Sequence, residues 1–81
     1  MNPNEIAELI AAGFDNADVK VMSDDNTHFA AIVVAEEFAG KRSIARHQLV
    51  YKTLGSLVGN EIHALSIRAL TPAELQEQEG Q

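Results

Sequence analysis

One nearly continuous apolar segment, "HFAAIVVAEEF" at residues 28–38, sets the main constraint on the fold. A strand with one face in water alternates apolar and polar side chains, whereas a strand covered on more than one side reads as an apolar run. Two other segments alternate. In "ADVKVMS", Ala17, Val19 and Val21 fall on one side, which predicts a strand over residues 17–23. A third strand is expected from Glu61 to Ala69, with His63 on the same side as Leu65 and Ile67. The intervening "DDNT" is a turn by composition, and the short separation of the first two strands predicts an antiparallel hairpin.

Helices fill the remaining chain. Asn2-Pro3-Asn4-Glu5 reads as a helix start, with Asn2 accepting from first-turn amides, Pro3 in the first helical position and Glu5 at the positive end of the dipole. Ile6, Leu9 and Ile10 mark its apolar stripe, Gly13 its stop, and Phe14 packs back on it. A long helix is expected over 43–58, capped by Ser43, with Ile44, His47, Val50, Leu54, Leu57 and Val58 at helical spacing and Gly59-Asn60 closing it. Thr71-Pro72-Ala73-Glu74 has the form of a capping box and starts a short last helix. The order α-β-β-α-β-α predicts a single α+β domain over residues 1–75, with residues 76–81 a frayed polar tail. A right-handed crossover makes the third strand parallel to the second, in a mixed three-stranded sheet with the helices packed on one face.

Charge and residue usage narrow the chemistry. The formal net charge of −6 opposes nucleic-acid phosphates unless a local basic patch overrides it. The nearest patch is "GKRSIAR", with Lys41, Arg42 and Arg46, which also reads as a solvated helix start. The 81 residues include no cysteine, so the chain supplies no thiolate. An acidic, polar N-terminus is not that of a signal peptide, and no apolar run reaches membrane-spanning length, so a cytoplasmic protein is expected. No nucleophile elbow or Gly-rich phosphate loop is present, and Glu36 and Glu37, adjacent in an extended segment, point oppositely. An enzyme is therefore not expected.

The three histidines remain. His28 stands at the hairpin turn and His63 near the beginning of the third strand, so parallel pairing brings both towards one edge of the domain. Neither zinc-type helical spacing is present, and two histidines on separate elements make half a metal site. Each residue also has a structural reading: His63 covering the core beside Leu65, and His28 pairing in its turn with Asp24 or Asp25. His47 reads as a half-buried histidine hydrogen-bonded across the core, and Tyr51 as packing with its hydroxyl at the rim.

The motifs Phe38-x-Gly40, Arg46-His47-x-x-Val50-Tyr51, Ile62-His63-Ala64-Leu65-Ser66-Ile67 and Thr71-Pro72-x-Glu74 together resemble the BolA-like family, in order over nearly the whole chain. The short turn ending in Thr27-His28-Phe29 looks most like the IbaG branch of that family. The resemblance implies a class II KH-like fold, in agreement with the element order. It also implies a partner, a monothiol glutaredoxin of the CGFS type, with which a [2Fe-2S] cluster is shared. The partner's cysteine and glutathione then supply the thiolates, His63 supplies one ligand, and the hairpin loop supplies a second, for which His28 is the candidate. Arg46 would contact glutathione or an acidic partner surface. A nucleic-acid-binding regulator built on the KH-like fold is the alternative, although no G-x-x-G loop is present. Self-association of the free chain stays open.

Overall fold

The computed structural model describes residues 1–79. Its elements are α1 (Pro3–Ala12), β1 (Ala17–Met22), β2 (His28–Ala35), α2 (Ser43–Leu54), β3 (Ala64–Leu70) and α3 (Pro72–Glu79), with 3-10 turns at Glu36–Phe38 and Gly55–Leu57. The sheet order is β1-β2-β3, with β1 antiparallel and β3 parallel to β2. The apolar run is thus the middle strand, and the α-β-β-α-β-α order is the one expected.

The strand periodicities sort residues onto two faces. Phe29, Ala31, Val33 and Ala35 of β2 are buried, and Ile6 and Ile10 of α1, Val50 and Leu54 of α2, Phe38 and Ile62 join them in one core. Burying a side chain of this size contributes roughly 1.5–3 kcal/mol. Phe14 packs edge-on against Phe38, with ring centroids 5.4 Å apart. At the N-terminus the Asn2 side chain accepts from the Glu5 amide at 2.9 Å, and the Glu5 side chain accepts from the Asn2 amide at 3.1 Å.

Several expectations need correction. First, α1 and α2 cover one face, but α3 reaches the other. Leu75 lines a groove with Asp18, Lys20, Ile32 and Val34, and Arg68 on that face donates to Gln78 at 2.7 Å. The tight Thr71 cap at the end of β3 turns the chain across the sheet edge. Second, α3 continues through Glu79, past the expected boundary at residue 75; residues 80 and 81 lie outside the described residues. Third, α2 stops at Leu54 rather than 58, because Gly55 takes a positive φ of 56°. The tight segment that follows brings Ile62 back to Leu57, whose carbonyl accepts from the Ile62 amide at 2.9 Å. Fourth, Ser43 is the first helical residue and makes no cap; Arg42 occupies that position without a side-chain bond. Ile44, expected on the buried stripe, is 69% exposed.

Gly13 ends α1 with an ordinary right-handed φ of −86°. Its smallness is needed for approach, since a Cβ there would run into Cγ2 of Thr53 on α2. Gly13→Ala should therefore destabilise the fold by roughly 1–3 kcal/mol in denaturant unfolding. Adding Thr53→Ser removes the opposing methyl but keeps the hydroxyl that donates to the Val50 carbonyl, and should recover most of the loss. Equal instability of the single and double variants would contradict this packing account.

Candidate functional site

Parallel pairing of β2 and β3 places the starts of both strands together. His28 is the first residue of β2, and its partner across the ladder is Ala64, the first residue of β3. His63 is the residue immediately before Ala64. Neighbouring strands lie about 4.8 Å apart, so the two histidine backbones share one corner of the sheet. His63 is not within the strand as expected. It sits in a bend, exposed, while Leu65 and Ile67 turn towards the core. Its position is held by the fully buried Ile62 just before it, which bridges back to Val58.

The hairpin turn holds His28 in a different way. Ser23 Oγ donates to the His28 carbonyl at 2.6 Å and accepts from the Asn26 amide at 2.9 Å. Asn26 takes a positive φ of 55°, a conformation that Asn tolerates better than most residues. Asp25 Oδ1 accepts from the Thr27 and His28 amides, each at 2.9 Å, and Oδ2 lies 2.9 Å from His28 Nδ1. The His28 amide, the His28 ring and the Thr27 amide together hold the Asp25 carboxyl well below the usual carboxylate range. The pairing with Asp25 is thus present, yet the His28 side chain remains 70% exposed.

An open hollow borders His28 on the sheet face away from α1 and α2, with Met22, Ser23, Phe29, Ala30, Ala64 and Ser66 in its wall. His63 is not part of that wall. Among the described residues no group of three or more His, Cys, Asp or Glu side chains can hold a metal. The donor set at this corner is two exposed imidazoles and no thiol. Two imidazoles are fewer than the four ligands that a zinc or iron-sulfur centre takes.

The basic residues separate. Lys41 and Arg42 are exposed before α2. Arg46 is not a free partner-facing charge, because its side chain is only 12% exposed and its guanidinium is engaged. Nε donates to the Lys41 carbonyl at 2.8 Å and Nη1 to the Ala69 carbonyl at 3.0 Å. Nη1 and Nη2 grip both Glu74 carboxylate oxygens at 2.6 and 3.1 Å, and the guanidinium carbon lies 6.0 Å from the Phe38 ring centre. Arg46 thereby staples α2 to the end of β3 and the start of α3. Glu74 does double service, since its Oε1 also accepts from the Thr71 amide at 2.9 Å while its own amide donates to Thr71 Oγ1 at 3.2 Å. The capping-box spacing signalled Glu74, but nothing in the sequence linked it to a residue 28 positions earlier. His47 is half-buried as expected, but no hydrogen bond to its ring is found among the described residues. Tyr51 is 39% exposed on the outer side of α2.

Comparison with known proteins places this architecture. Residues 10–74 match the family model described as BolA-like protein. The acid stress protein IbaG of Escherichia coli K12 is 40% identical over 75 residues, covering 91% of this chain and 88% of that protein. The DNA-binding transcriptional regulator BolA of Vibrio cholerae is 49% identical over 51 residues, 63% of this chain and 48% of that protein. A bolA homologue from Coxiella burnetii superposes with a TM-score of 0.84 at 35% identity, covering 94% of this chain and 97% of that structure. The BolA domain of SufE1 from Arabidopsis thaliana gives a TM-score of 0.77 at 34% identity, covering 89% and 93%.

The Arg46 fork, and next the Thr71 amide, depress the Glu74 carboxyl from 4.5 to about 2. A carboxylate depressed on folding stabilises the native state above its unfolded value, and the contribution is lost as pH falls towards the folded value. Glu74→Gln should lower the thermal midpoint at pH 7, and the gap to the parent should narrow as pH falls from about 4.5 towards 2. A gap independent of pH across that window would contradict the staple.

Proposed function

Because the chain belongs to the BolA-like family, we propose that it is the thiol-free half of a heterodimer with a monothiol glutaredoxin of the CGFS type. In this reading the pair shares a glutathione-assisted [2Fe-2S] cluster in the cytoplasm. The role is iron-sulfur trafficking or iron regulation rather than catalysis. His63 and His28 contribute nitrogen, and the partner's cysteine with glutathione contributes sulfur.

The observation that carries the reading is the register of His28 against Ala64, which gathers His28 and His63 at one corner of the sheet. A [2Fe-2S] cluster takes four ligands, and a chain with three histidines and no cysteine can fill only part of that set. Exposure of both imidazoles leaves them accessible to a centre brought by another molecule. Imidazole in place of thiolate raises the cluster's potential and makes it less negative. Within the basic segment before and at the start of α2, Lys41 and Arg42 are the exposed cations left to meet an acidic partner surface, now that Arg46 is consumed internally.

A second reading, nucleic-acid binding, is favoured by one observation, the name of the Vibrio cholerae relative. The net charge of −6 and the lack of a G-x-x-G loop weigh against it. Steep loss of nucleic-acid affinity with added salt, reduced in slope by removing Lys41 and Arg42, would support it over the first.

Mixing the purified chain with a CGFS-type glutaredoxin, iron, sulfide and glutathione should give visible charge-transfer bands distinct from those of the glutaredoxin alone. His63→Ala should change those bands. Spectra of variant and parent that coincide would reject His63 as a ligand.

A further inference from the structure

His28 has two ring nitrogens, and the structure distinguishes them. Nδ1 faces Asp25 Oδ2 at 2.9 Å. The other carboxylate oxygen, Oδ1, is already an acceptor for the Thr27 and His28 amides. This carboxylate is therefore an acceptor on both oxygens, and a neutral imidazole facing it must present a proton on Nδ1. A neutral imidazole carries one such proton, so the lone pair is left on Nε2. The Thr27 and His28 amides that donate to Oδ1 hold the Asp25 carboxylate in place.

We infer that Asp25 is a positioning residue for the loop ligand: its carboxylate selects the Nδ1–H form of His28, so that Nε2 is the atom offered to iron. The inference rests on the proposed ligand role of His28, but the tautomer itself is a property of the chain alone. It also explains why an ion-pairing turn histidine and a metal ligand are compatible. The carboxylate uses one nitrogen and frees the other, as outer carboxylates do behind metal-bound histidines. His63 has no such partner among the described residues, so the two imidazoles are unequal.

The two parts are tested separately. Ring 15N spectra of the cluster-free protein near neutral pH should show His28 protonated on Nδ1 in its neutral form. Predominance of the Nε2–H form at His28 in the parent protein would overturn the inference, and this result needs no variant to fold. Asp25→Asn keeps an oxygen for the Thr27 and His28 amides but offers an NH2 group to the ring, so it should move the proton to Nε2. Unchanged amide shifts for β2 confirm that the turn is intact. In the complex with CGFS-type glutaredoxin and glutathione, Asp25→Asn should lose iron to a chelator about 10- to 100-fold faster than the parent. Loss at the parental rate, with the tautomer changed, would also overturn it. If the parent complex forms a cluster without any nitrogen from this chain, the proposed function fails, whatever the tautomer.

Discussion

The parallel pairing of β2 with β3 is the constraint on which the rest of this structure depends. A parallel strand requires a crossover, and α2 with its trailing 3-10 turn provides it. Parallel alignment brings the first residues of both strands to the same end of the sheet. An antiparallel β3 would carry its N-terminal end to the far side, roughly 20 Å away for a strand of this length. The histidine corner is thus a product of topology.

Packing fixes that topology and trims the site. The middle strand buries Phe29, Ala31, Val33 and Ala35 under α1 and α2, and a one-residue slip of its register would turn this set to the opposite face. Ile62, fully buried, pins the approach to β3 and so sets where His63 emerges. At the opposite end of β3, Arg46 ties α2 to the Ala69 carbonyl and to Glu74. One end of the sheet is locked by internal charge, while the other carries exposed imidazoles.

The parts of the fold that local chemistry determines were legible in the sequence. The Asn2 cap, the Thr71 box, the hairpin and the covered middle strand follow from short-range patterns, and each has the expected form. What was not legible depended on distant contacts or on single backbone angles. Apolar spacing carried α2 past Leu54, yet the positive φ at Gly55 ended it there. Alternation counted His63 into β3, but the bend after Ile62 leaves it outside. Arg46 looked like a surface cation because its partners, Ala69 and Glu74, lie far along the chain. At the site, the types and rough places of the two histidines were readable. The choice of Asp25 over Asp24 as the partner of His28 needed the geometry of the turn.

The central claim is that this chain gives nitrogen to an iron-sulfur centre whose sulfur ligands belong to another molecule. Its most direct test is pulsed electron paramagnetic resonance on the reduced complex, with 15N in this chain only and natural nitrogen in the glutaredoxin. The account predicts strong 15N couplings at the iron that weaken when His63 or His28 is replaced. A cluster-loaded complex whose iron couples to no 15N from this chain would contradict it.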